Sequence, residues 1–192
     1  MKHRISRIIL IIFLAALLNN GIQFLGEFVF NIPFYFDSIF TIAVGIFFGW
    51  IPGVLTGLLT NMGMEITHGF HGLSGPFAII NMATGALAGL IAADKEKYWH
   101  LPRQIFMILA LTVVNVLLGA YIVNILFGGL TGSNPDILIK ALLLMGENKV
   151  MSTIIARIPI NLVDKGLPVL LIYIGYRIYR KRKDREYLPA SL

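Results

Sequence analysis

The chain has 192 residues, of which 57% are hydrophobic and only 14% are charged, and its mean hydropathy is +0.78. This composition excludes an ordinary soluble domain and favours an integral membrane protein. The absence of cysteine from the sequence excludes disulfides, thiolate metal sites and cysteine nucleophiles.

Hydrophobic runs predict an all-α membrane protein with six transmembrane helices in a single domain over 1–192. A spanning helix needs about 20 apolar residues, so this length accommodates about six spans with short loops. The runs place the spans at 8–26, 35–50, 53–68, 76–93, 104–127 and 151–178. We expect the segment at 128–149 to be external and to form a short helix that lies at the membrane interface or re-enters as a cap. The first run lacks a small-x-small cleavage site, so we interpret it as a retained helix.

The Lys and Arg residues predict how the chain is oriented. Three precede the first span, three lie in 94–103 and six follow residue 176, which places 12 of the 16 on one side. The positive-inside rule makes this side cytoplasmic, with both termini inside. The net charge of +6 therefore indicates topology and contact with the lipid bilayer, not nucleic-acid binding.

A polar stripe on the sixth predicted span indicates a binding site. At about 100° per residue, Asn161, Asp164 and Pro168 lie within about 40° of Arg157. Ionised groups at membrane depth are costly and normally face a bundle interior or an aqueous cavity. Polar residues of other spans fall at similar depth in the outer leaflet, whereas the inner leaflet is apolar. The predicted substrate-binding residues are Asp37, Glu65, Asn81, Arg157, Asn161, Asp164 and Lys165.

Simpler interpretations stand beside this one. The charged residues could pair only to neutralise one another. The aromatic segment 28–36 is expected to form an interfacial belt, with a lid over a ligand as the alternative. Glu65, His68 and His71 would spread over about 120° of a helix, too wide for chelation, so we expect no metal site.

Glycines recur every four residues in the hairpin of the second and third spans. Gly45, Gly49, Gly53 and Gly57 would let helices approach closely. They could pack within the subunit or form a docking face for a partner helix. We expect Gly53 to belong to the turn after Ile51 and Pro52.

Two stretches carry a resemblance to a known family. FDSIFTIAVGIFFGWIPGVLTGLLTN at 36–61 and PINLVDKGLPV at 159–169 resemble the substrate-binding S components of energy-coupling factor (ECF) vitamin transporters. The second predicted span begins with Asp37-Ser38-Ile39-Phe40-Thr41, which is similar to an Asp-Ser-Ile-Gly-Thr motif in one branch, with Phe40 replacing the glycine.

The resemblance implies a noncatalytic, cofactor-free subunit in the plasma membrane of a prokaryote. Such a subunit captures a vitamin or related micronutrient outside and works with a transmembrane coupling subunit and two cytoplasmic ATPase subunits. Small residues of the first helices would meet the coupling subunit: Ala15 and Ala16, with Gly45, Gly49, Gly53 and Gly57 as a further docking surface. Cobalt and nickel members of the family carry a histidine at position 2. This chain has Lys2 there, so the resemblance does not imply metal transport.

Two other functions remain open. One is a membrane sensor or input module that acts with a separate signalling partner, although we expect transport, since no signalling domain follows within the sequence. The other is a metal-dependent intramembrane enzyme that uses Glu65, His68 and His71.

Overall fold

A computed structural model describes residues 2–186, and within this range every regular element is helical. A π-helical turn at Leu25–Val29 extends the first helix, and a 3-10 turn at Gly75–Phe77 precedes the fourth. The α-helices are α1 Lys2–Phe24, α2 Ile39–Phe48, α3 Trp50–Thr67, α4 Ala78–Ile91, α5 Lys95–Tyr98, α6 Leu101–Leu126, α7 Asp136–Leu144 and α8 Lys149–Glu186. The predicted all-α class is therefore confirmed.

Three helical segments are long and apolar enough to cross a membrane: His3–Val29, Leu101–Leu126 and Lys149–Lys183. Two shorter apolar segments are Ile39–Phe48 and Gly75–Ile91. Large apolar side chains point outward along these helices, including Leu17, Leu117 and Ile125. A helix that is hydrophobic both inside and outside the bundle is typical of a membrane environment. The fold therefore indicates membrane association.

The connections divide the bundle into two ends. Residues from the segments after α1, α3 and α6 line one common cavity, so we call this the cavity end. The opposite end holds the segment between α4 and α6 and the last turns of α8. There Trp99 stacks on Tyr176 with 9° between the rings. Because Arg177 to Lys183 follow directly, we call this the basic end.

The connection at the basic end is closely packed. Asp94 caps α5 by accepting a hydrogen bond from the Lys97 backbone N–H at 3.2 Å, which holds the pKa of that carboxyl below its usual value. The Lys95 ammonium donates to the carbonyl of Ile46 at the end of α2. This segment is therefore tied to α2 as well as to α6.

Apolar side chains fill the bundle between the cavity and the basic end. All members of this cluster are fully buried: Ile42, Ile46, Ala88, Ala92, Tyr98, Met107, Leu111 and Val169. The buried polar side chains of α4 and α8 lie in the other half of the bundle, whereas Gln104 of α6 is buried at the basic end, where it donates to the Tyr98 carbonyl.

Glycines allow α2 and α3 to contact α4. A Cβ on Gly45 or Gly53 would lie 2.6 or 2.5 Å from the Gly85 carbonyl oxygen, and one on Gly57 would lie 2.4 Å from the Asn81 carbonyl oxygen. Each distance is far below van der Waals contact. The structure therefore corrects the docking interpretation for these three positions, because α4 of the same chain already occupies their surface.

The other proposed docking residues also differ from expectation. Ala15 and Ala16 are each 5% exposed, and Ala15 packs beside Val44 of α2. They are therefore covered within the chain. Gly49, with φ of +101°, makes the turn between α2 and α3, so the prediction that Gly53 does so was wrong. Pro52 lies in the first turn of α3, where a missing N–H costs nothing.

Two further boundaries depart from the predicted spans. Residues 35–38 are not helical, so α2 begins at Ile39 and has only 10 residues. In contrast, α8 runs unbroken for 38 residues through Pro159 and Pro168. Each proline withholds one N–H from the carbonyl four residues earlier, but neighbouring turns and packing keep the helix continuous.

Candidate functional site

A cavity of about 160 Å³ lies at the cavity end of the bundle. Its wall combines residues of α1, α3, α4, α6 and α8 with residues of the three connections. Five of the seven predicted substrate-binding residues line it: Asp37, Asn81, Arg157, Asn161 and Lys165. Of the polar stripe inferred from helical periodicity, Arg157 and Asn161 therefore face this space, whereas Asp164 and Pro168 do not line it.

Arg157 is the most unusual residue of the wall. It is 4% exposed, and its Nε is buried without a hydrogen-bond partner among the residues that the structure describes. The rings of Tyr35 and Phe77 lie 5.6 and 5.8 Å from its guanidinium carbon. Across this range, the ion pairs are Glu27 with His68, Asp94 with Lys97 and Asp37 with Lys165, so none includes Arg157.

Gly119 of α6 provides the space that the Arg157 side chain fills. A Cβ at Gly119 would lie 2.6 Å from Nη1 and 3.2 Å from the guanidinium carbon. The guanidinium is therefore held between α6 on one side and two aromatic rings on the other, with the cavity as its remaining neighbour.

Lys165 is paired, in contrast to Arg157. Its ammonium donates to Ser38 Oγ at 2.6 Å and lies 3.6 Å from Asp37 Oδ1. Asp164, the preceding residue, accepts a hydrogen bond from the Tyr35 backbone N–H at 3.1 Å. Adjacent residues of α8 thus hold the nonhelical segment 35–38 against the bundle.

Buried amides form a second part of the wall. Asn81 Nδ2 donates to Asn61 Oδ1 at 3.1 Å and to the Asp37 carbonyl at 3.2 Å, and Asn61 donates to the Ser74 carbonyl at 2.9 Å. Asn115 pairs with Thr84 of α4 at 2.9 Å. Asn115 therefore makes an interhelical hydrogen bond and also lines the cavity.

The mouth of the cavity holds a carboxylate and an imidazole. Glu27 Oε2 lies 3.3 Å from His68 Nε2 and accepts from Gln23 Nε2 at 3.3 Å. The other ring nitrogen of His68 lies 2.8 Å from Ser74 Oγ. These contacts tie the end of α1 to the connection after α3.

Glu65 and Asp164 do not line the cavity, so their role as ligand contacts stays a prediction. The Glu65 carboxylate accepts hydrogen bonds from backbone N–H groups of Gly72, Ser74 and Gly75. Both carboxylates accept hydrogen bonds from backbone N–H groups of connecting segments and so hold those segments in place. Backbone donors in a turn can supply the hydrogen bonds to a carboxylate that a ligand would otherwise supply.

The possible metal-binding set is also dispersed. Glu65 faces the 72–75 turn, His68 faces Glu27, and His71 is exposed. Among residues 2–186, no group of three or more His, Asp or Glu side chains has the arrangement of a metal site.

Several lining residues lie in connections that helical periodicity does not cover. The aromatic segment divides: Phe28 and Phe30 are exposed, whereas Phe34 and Tyr35 line the cavity. The stretch 131–135 also lines it, held by Asp136, whose carboxylate accepts from the backbone of Thr131 and Gly132 at 2.7 Å. Some of the missed residues had a sequence signal: Gln23 and Glu27 form a polar i, i+4 pair at the end of an apolar helix, and Asn61 and Asn115 are amides within apolar runs.

No family model matches the chain, and neither a curated protein nor a solved structure matches it. What the cavity binds must therefore be inferred from its own side chains.

Proposed function

We propose that this chain is the membrane-embedded substrate-binding subunit of an ECF-type transporter, in the plasma membrane of a prokaryote. It captures a vitamin or related micronutrient outside the cell for ATP-driven uptake, with a transmembrane coupling subunit and two cytoplasmic ATPase subunits as partners. In this proposal α1, α2, α3, α4, α6 and α8 are the six spans, and the basic end is cytoplasmic.

One observation carries the proposal: a cavity with charged and polar side chains in its wall lies at one end of an apolar bundle, and a fully buried apolar cluster separates it from the basic end. A channel needs a polar lining through the whole membrane, so this asymmetry favours a binding protein over a pore. Charged residues are expensive at membrane depth and are retained mainly where they bind or couple.

Native mass spectrometry of protein purified in mild detergent tests the binding role. We expect a retained small molecule, and we expect one member of a vitamin panel to raise the thermal unfolding midpoint. Protein that retains nothing and responds to no vitamin would sink the proposal.

Co-purification tests the transport role. We expect a coupling subunit and ATPases to accompany the tagged chain from native membranes. A signalling kinase in their place would support the sensor alternative and overturn the transport proposal.

A further inference from the structure

Buried cations in proteins are normally paired, because removing a charge from water is costly without a partner. Arg157 breaks this rule at the cavity wall. Its Nε lacks a partner within the described range, and the rings of Tyr35 and Phe77 face its guanidinium carbon. The unpaired guanidinium borders the space in which a ligand would sit.

The carboxylates around the cavity are already engaged. Asp37 pairs with Lys165, and Glu27 contacts His68 and Gln23. Asp164, which does not line the cavity, accepts from the Tyr35 backbone through Oδ2, and its Oδ1 is buried without a hydrogen-bond partner among the described residues. Asp136 accepts from two backbone N–H groups of the 131–135 stretch. Among the described residues, the Arg157 guanidinium is therefore available to pair with the acidic group of a bound ligand.

The guanidinium favours an anionic group with two or three oxygens, a carboxylate or a phosphate. A guanidinium presents its donors as a fork that matches carboxylate and phosphate oxygens. Tyr35 and Phe77 flank the guanidinium and would contact the apolar part of a bound molecule. The volume, about 160 Å³, equals that of about five water molecules and is below the roughly 300 Å³ at which drug-sized sites begin.

We propose that the cavity binds a small molecule with one anionic group, carboxylate or phosphate, no larger than a single substituted ring, and that Arg157 binds that group. This inference rests on the proposed binding function and names its substrate class. It also specifies that the ligand carries a negative charge, which the capture of a vitamin does not by itself require.

Matched probes test the charge. Benzoate and benzamide have nearly the same shape but differ in charge, and phenyl phosphate supplies the phosphate arm. At low ionic strength we expect benzoate, phenyl phosphate or both to raise the unfolding midpoint of the detergent-solubilised protein, whereas benzamide leaves it unchanged. Which of the two anions raises the unfolding midpoint shows whether the site binds a carboxylate or a phosphate. Benzamide acting as strongly as benzoate, or no response to either anion, would overturn the inference.

Variants test the residue. We expect Arg157→Gln to weaken binding of the responding anion about tenfold or more. Gly119→Ala keeps the arginine but displaces its guanidinium, so it should weaken binding as well. Arg177→Gln is the matched control, because Arg177 is exposed on the same helix about 30 Å away and should bind as the wild type does.

Outcomes separate this inference from the proposed function. If Arg157→Gln does not fold, Gly119→Ala decides the role of the guanidinium. Unchanged affinity in both variants would overturn the anion site. A retained compound that mass spectrometry identifies as uncharged would uphold the binding function but overturn the anion site. Anion binding without a coupling subunit or nutrient uptake would uphold the anion site and overturn transport.

Discussion

At the residue scale, the bundle has two kinds of buried polar side chain. Asn19 is fully buried, but its amide donates to Thr41 and Thr60 at 3.0 and 3.1 Å and accepts from the Phe40 N–H at 2.9 Å. All its bonds join α1 to α2 and α3. Arg157 has no comparable set in the described part of the chain. A buried polar side chain with hydrogen-bond partners, such as Asn19, stabilises the fold. A buried charge without a partner, such as that of Arg157, lowers the stability of the ligand-free protein, and a bound ligand can offset this cost.

Replacing Arg157 with methionine should therefore stabilise the ligand-free protein. Methionine is apolar and flexible enough to fill the space beside Gly119, and it removes the cost of a buried unpaired charge. We expect the free energy of unfolding to rise by on the order of 1 kcal/mol, as read from thermal or denaturant unfolding in detergent. Arg177→Met, on the outside of the same helix, should change little. A large loss of stability in Arg157→Met would show that the guanidinium is structural.

Truncating Asn19 should have the opposite effect. Asn19→Ala leaves two threonine hydroxyls and a backbone N–H without their buried partner, so we expect a loss of about 1–3 kcal/mol in unfolding free energy. Asn20→Ala is the control, because Asn20 donates only within its own helix, to the Ala16 carbonyl. Equal losses in the two variants would contradict the interhelical role of Asn19.

At the element scale, backbone contact between helices depends on the absence of side chains. Gly85 of α4 is the centre of this contact, since a Cβ there would lie 2.2 Å from the Gly53 carbonyl oxygen of α3. The same helices carry Asn61 and Asn81, whose hydrogen bond lies in the cavity wall. Close approach of α3 and α4 is therefore a condition for the site as well as for the fold.

Adding one methyl group tests this contact. Gly85→Ala should push α3 from α4 and lower the free energy of unfolding by about 1–3 kcal/mol or more. Gly175→Ala on α8 meets nothing within 4 Å and should stabilise the protein slightly, by up to about 1 kcal/mol, through helix propensity. Unfolding in detergent measures both variants. A tolerated Gly85→Ala would mean that α3 and α4 are not in backbone contact.

The sequence predicted helical features well and loop features poorly, for a physical reason. Arg157, Asn161 and Lys165 are spaced four residues apart, so helical periodicity alone brought them to one face. The position of a connection depends instead on distant contacts, such as that of Asp164 with the Tyr35 N–H. Apolar runs likewise predicted that a helix occupies 35–50 but could not show that residues 35–38 are nonhelical, with Phe36 at a φ of +47°.

At the scale of the whole molecule, the cavity and the basic segments lie at opposite ends of the bundle. The cavity opens among the connections after α1, α3 and α6, and the basic segments lie at the other end with the α4–α6 connection. In the orientation that we propose from the positive-inside rule, the cavity mouth faces the outside of the cell. Glu147 follows α7 at the cavity end, whereas Glu96 lies in α5 at the basic end, and both are exposed.

These two glutamates give a direct test of orientation, because the chain has no cysteine of its own. In intact cells, a membrane-impermeant maleimide should label Glu147→Cys and leave Glu96→Cys unlabelled, and both should label once the membrane is permeabilised. The two substitutions are chemically identical and lie on exposed positions, so a difference between them reports sidedness. Labelling of Glu96→Cys alone would place the cavity mouth in the cytoplasm. Capture of an external nutrient would then be impossible, whereas the anion site at Arg157 would remain open to an intracellular ligand.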